Sequence, residues 1–145
     1  MNRPNLRADS RIPTELKPKL LTGRSGRQTL AGVRGRLYVG WGVFAFLWPE
    51  TVERLEAARA RMTPDDRLVV AVLTGAALRQ DLGLPGLGVP LYQRRMLAAG
   101  LRAVDYVLVW RRLAPMRWAR RWRLGRVDWL GPLEPIGDRG DEGTE

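Results

Sequence analysis

Apolar and polar positions along this chain switch between two periods, and the switches predict its elements. "GRLYVGW" (35–41) is aromatic and aliphatic between glycines and predicts a first strand. "PETVERLEAARARM" (49–62) predicts a helix: proline stands in the first turn, acids follow, and Val52, Leu55, Glu56 and Arg59 divide an apolar face from a charged one. "TPDD" (63–66) breaks the chain, and "RLVVAVLTG" (67–75) is the continuous apolar run of a strand buried on both faces of a parallel sheet. "LGLPGLGVP" (82–90) predicts a loop.

"LYQRRMLAAGLRAV" (91–104) predicts a second amphipathic helix, with Leu91, Met96, Leu97, Leu101 and Val104 apolar and Arg94, Arg95 and Arg102 polar. "DYVLVW" (105–110) predicts a third buried strand. Strand, helix, strand, helix, strand makes two right-handed crossovers. The expected fold is α/β: a Rossmann-like three-layer domain with a short parallel sheet. In "RRLAPMRWARRWRLGRVDWLG" (111–131), Trp118 and Trp122 are four apart and share a helix face with Met116 or Leu124, ringed by Arg117, Arg120, Arg121 and Arg123. A C-terminal Trp/Arg helix is expected there.

Charge divides the chain further. The 145 residues carry a net charge of +10, and Lys17 and Lys19 are the only lysines among 25 basic residues. Arginine prevails where phosphate or carboxylate is gripped bidentately, although the codon bias of a GC-rich genome explains the excess equally well. Nine positives fall in residues 1–36 and seven between Arg111 and Arg126, around a nearly neutral centre. The organisation expected is a basic, largely extended arm (1–34), a folded domain (35–130) and an acidic flexible tail (131–145).

With no cysteine and no histidine, thiolate chemistry, disulfides, histidine general bases and the commonest metal ligands are excluded. No metal site is expected. No apolar run reaches the roughly 18 residues of a membrane span. The N-terminus is too polar for a secretory signal, so the expected compartment is the cytoplasm.

"GWGVFAFLWPETVERLEAA" (40–58) has the layout of a phosphate site, a strand feeding a helix N-terminus through glycine. It contains no basic residue before Arg54, and Glu50 stands at the helix start. From Arg36 to Trp110 the order of residues resembles the nucleotidyltransferase superfamily of cytidylyl- and adenylyltransferases. It is nearest in pattern to glycerol-3-phosphate cytidylyltransferase and the heptose-1-phosphate adenylyltransferase domain. Gly42 and Phe44 stand in the Gly-x-Phe places, "LEAA" supplies the helix signature, Arg94 stands in the family's arginine place, and "VDYVLVW" with Asp105 precedes the third strand.

The resemblance implies a nucleotide-binding fold, and the departures imply lost chemistry. The family aspartate is Ala45, and the HxGH tetrad is "WPET", Trp48 to Thr51. Those histidines hold phosphates and stabilise charge at phosphorus, work that rests on positive electrostatics. Glu50 is favoured by the helix dipole and Pro49 removes an N–H donor, so the helix is expected to be closed to triphosphate. The loop lysine is missing, and no counterpart of the family's C-terminal strand is legible in 111–131.

No residue is assigned a catalytic role. Gly42, Phe44, Trp48, Glu50, Thr51 and Arg94 are expected to form a degenerate nucleotide site. Phe44 and Trp48 suit core packing ahead of base stacking, and Trp41 the space a nucleotide would fill. Arg94 suits either phosphate or a solvated helix face, and Asp105 suits closure of the third strand's start. Arg24, Arg27, Arg34, Arg36, Arg117, Arg120 and Arg121, with Trp118 and Trp122, are candidates for holding a polyanion or partner. The tryptophans suit packing on the sheet first, a nucleic-acid surface second and a membrane interface last.

The function expected is therefore a catalytically degraded nucleotidyltransferase-like protein. It would serve as a binding or structural subunit of an oligomer or complex, holding a partner protein or nucleic acid through its basic arms, with no cofactor. The alternative is an active cytidylyl- or adenylyltransferase with unusual active-site residues. That enzyme would use magnesium and CTP or ATP to make a nucleotide-activated sugar or polyol.

Overall fold

A computed structural model describes residues 12–86 and 88–135. Four strands, all parallel, form one sheet in the order β3-β2-β1-β4: β1 Leu37–Gly42, β2 Arg67–Leu73, β3 Tyr106–Trp110 and β4 Val127–Pro132. The continuous apolar run of β2 is buried because β2 is a central strand with helices on both faces.

Alternate residues of the strands feed two cores. On one face Leu37, Val39, Val69, Ala71, Leu108 and Trp110 meet α1 (Gly23–Ala31), α3 (Gly75–Leu82) and α5 (Pro115–Arg121) through Leu30, Ala77, Leu78 and Trp118. On the other, Tyr38, Leu68, Val70, Val72 and Val107 meet α2 (Pro49–Arg61) and α4 (Leu91–Ala99) through Leu55, Ala58, Ala98 and Ala99. The domain is a three-layer, Rossmann-like α/β fold, as its pattern predicts.

Three expectations are corrected. Residues 12–34 are not an extended arm: Thr14–Lys19 is a 3-10 helix, Leu21 donates its N–H to Val107 along the edge of β3 (2.9 Å), and α1 buries Gly26 and Leu30. Burial of Ile12, Leu21 and Leu30 outweighs the charge that surrounds them. Arg3, Arg7 and Arg11 lie outside the described residues.

The expected Trp/Arg helix is present as the seven residues of α5, Pro115–Arg121, but the chain does not end the fold there: it returns as β4 beside β1. Met116 is exposed and does not share the buried face of Trp118. The acidic tail likewise begins inside the fold, since Leu133 and Glu134 are buried; residues 136–145 lie outside the described residues. A further element, α3, was likewise unforeseen. Thr74 accepts from the N–H of Ala77 (3.2 Å) and caps α3, which Gly83 closes in a left-handed conformation at φ 65°.

Candidate functional site

In a sheet of this order the strand sequence reverses between β1 and β4. The crevice beyond their carboxyl ends is where open α/β sheets hold ligands. β1 delivers Val43 and Phe44 to that crevice, and Phe44 turns the chain with φ at 58°, a conformation uncommon for a residue with a side chain. Both backbone N–H groups point at one carboxylate. The N–H of Val43 donates to Glu134 Oε1 at 2.7 Å, and that of Phe44 to Oε2 at 2.7 Å.

Arg94 grips the same turn from α4. Its Nη1 donates to the carbonyls of Val43 (3.1 Å) and Leu73 (2.7 Å), and its Nε to that of Val89 (3.3 Å). Thr51, in the first turn of α2, donates its hydroxyl to the Leu133 carbonyl at 2.8 Å. Among the described residues four polar or charged side chains are buried, and three of them (Thr51, Arg94 and Glu134) meet here. Arg94 is 3% exposed and Glu134 6%.

Burial pushes the Glu134 carboxyl above its usual range, against the two amide donors and the charge of Arg94. Burial likewise lowers the pKa of Arg94, and Glu134 opposes that shift. The two charges offset part of each other's desolvation.

The glycines of β1 make this closure possible. A Cβ on Gly40 would lie 2.8 Å from the Leu133 side chain, and one on Gly42 would lie 3.0 Å from Glu134 Oε1. Leu133 also donates its N–H to the Trp41 carbonyl (2.9 Å), and Arg54 reaches the Pro132 carbonyl (2.6 Å) from α2. The segment after β4 is thus pinned across the end of β1.

Gly42, Phe44, Thr51 and Arg94 therefore do come together, although not as expected. Gly42 admits Glu134. Phe44 is wholly buried in the core. Arg94 is neither solvated nor open to a phosphate, because carbonyls occupy it. Trp48 is half-buried at the start of α2, its ring 4.7 Å from that of the exposed Phe46. Glu50 is exposed in the first turn of α2; the anion on the strand-end amides is Glu134, which the sequence hid in a Gly/Pro/acid stretch. Asp105 closes the start of β3, accepting from the Leu68 N–H (2.8 Å) and pairing with Arg59.

The basic candidates divide between two ends of the sheet. Arg34 and Arg36 precede β1, and Arg36 meets Asp128 at 3.4 Å. Arg24 and Arg27 are exposed on α1. Arg117, Trp118, Arg121 and Trp122 line a cavity beyond the end of β3, with Arg120 exposed beside them. Trp118 packs on Trp110, Trp122 and Trp129, and Trp41 on Trp110 and Trp129, at ring separations of 5.1–6.4 Å. The tryptophans pack on the sheet, and the arginines face outward.

No protein-family model matches the chain, and no curated protein does. A solved structure is similar: the lipopolysaccharide core biosynthesis protein from Thermoplasma volcanium GSS1. The TM-score is 0.50 at 18% identity, over 63% of this chain and 71% of that one. The shared fold is Rossmann-like. Identity at that level carries the fold to this chain and nothing of the neighbour's activity. Among the described residues no three His, Cys, Asp or Glu side chains cluster, and no helix is long and apolar enough to cross a membrane.

Proposed function

We propose that this protein is a catalytically silent relative of the nucleotidyltransferases that serves as a binding or structural subunit. The observation that carries the reading is the Glu134 carboxylate on the amides of Val43 and Phe44. A phosphate at the switch point needs free N–H donors and cations. Here the donors are filled from within the chain, and the buried cation, Arg94, is committed to three carbonyls. Trp48 and Thr51, where the resemblance places the tetrad histidines, bring no positive charge. Exposed arginines supply the means of holding an acidic partner.

The full-length protein, given magnesium, CTP or ATP and a panel of sugar and polyol phosphates, should release no pyrophosphate above the protein-free blank. Release that scales with protein concentration would sink this reading and favour the active transferase.

A further inference from the structure

A cavity of about 470 Å³ lies between the first turn of α1, the end of β3 and α5, away from the turn that Glu134 fills. Its wall combines an indole back, Trp110 and Trp118, with five arginines (Arg95, Arg111, Arg112, Arg117 and Arg121) and no acidic side chain. Asp81 engages Arg112 at 2.8 Å. Arg111, Arg117 and Arg121 form no ion pair or side-chain hydrogen bond with any described residue.

The backbone adds donors to the same wall. Thr22 and Gly23 open α1 there; the Thr22 side chain does not cap the helix, and the first turn holds no acid. Its leading N–H groups therefore present the positive end of a nine-residue helix to the cavity. The indole nitrogens of Trp110 and Trp118 are sealed behind this wall and do not open on the cavity.

We propose that this cavity binds a small polyphosphorylated anion, with phosphate oxygens on Arg111, Arg117, Arg121 and the α1 amides. The polar groups of the wall identified here are donors, so the ligand must supply acceptors. Three unengaged guanidinium groups call for several negative charges, and their planar forks fit phosphate oxygens in pairs. The volume falls within the roughly 300–1,000 Å³ of small-molecule sites. Trp110 and Trp118 are too buried to stack on a strand's bases, and the half-buried Trp122 is a single indole, short of a platform for successive bases. The assignment is independent of the silent-transferase reading, because it uses none of the residues at the β1 turn.

The test is calorimetry on the full chain with inorganic pyrophosphate. Saturable one-to-one binding below about 1 mM is expected, and Arg117→Gln and Arg121→Gln should each weaken it about tenfold. Arg120→Gln, beside the cavity but outside its wall, should leave the affinity within about twofold. Competition by ADP would identify a nucleotide as the natural source of the diphosphate; its failure would identify a sugar-borne or inorganic one. Absence of binding overturns the proposal. So does equal weakening by Arg120→Gln, which would mean diffuse charge, or equal displacement by citrate, which would mean an anion site without preference for phosphate.

Discussion

Val43 is held from both sides of its backbone: its N–H donates to Glu134, and its carbonyl accepts from Arg94. Removing the charge of Glu134 leaves two buried donors poorly served and Arg94 without its nearby anion. Glu134→Gln should therefore cost about 2–4 kcal/mol in urea unfolding, with unchanged far-ultraviolet circular dichroism before the transition. Asp66 predicts a pH effect. The N–H groups of Thr63 and Arg36 hold its carboxyl below 3.8, so the unfolded chain takes up that proton first. Its stabilisation is complete above 3.8 and is lost as pH falls through the lower folded value; Asp66→Asn should flatten that acid limb of the stability–pH curve. At this scale the sequence was legible where a residue acts on its chain neighbours, as Pro49 does at the start of α2. Arg94 and Glu134 were not, because their roles depend on partners dozens of positions away.

Elements with a continuous signal were legible, and those assembled from weak ones were not. β2 is buried from Leu68 to Leu73 and declares itself. β4 has no buried residue; from Val127 to Gly131 every position is half-buried, and its "VDWLG" follows an arginine-rich helix with no clear break. α3 did carry its cap, Thr74, and its glycine stop, but the Gly/Pro-rich loop after it dominated that stretch. The family comparison also misled, since no counterpart of the C-terminal strand was legible in 111–131 and yet a fourth parallel strand is present beside β1. That pairing depends on Gly40, where Leu133 crosses the backbone. Gly40→Ala must push Leu133 aside and loosen Glu134 with it. The expected loss is about 1–3 kcal/mol, read by denaturant titration, and hydrogen exchange at Val43 and Phe44 should rise.

For the whole molecule, charge counted along the chain gave the wrong boundary, because residues 12–34 pack on the sheet while still showing their arginines to solvent. Deleting residues 1–31 should therefore lower the melting temperature sharply and disturb the near-ultraviolet signal of the tryptophan cluster. A molecule that melts as before would mean α1 is dispensable. The Glu134 contact has a consequence for biosynthesis as well. It joins residues 91 positions apart, and β1 lies between β2, made soon after it, and β4, made near the end. During translation one edge of β1 must wait unpaired while some 90 residues emerge, about 5–20 seconds at ordinary elongation rates. The amides of Val43 and Phe44 stay open to solutes for the same interval. A messenger cut short before codon 134 would yield a chain that carries the strand-end anion cradle but not the carboxylate that fills it.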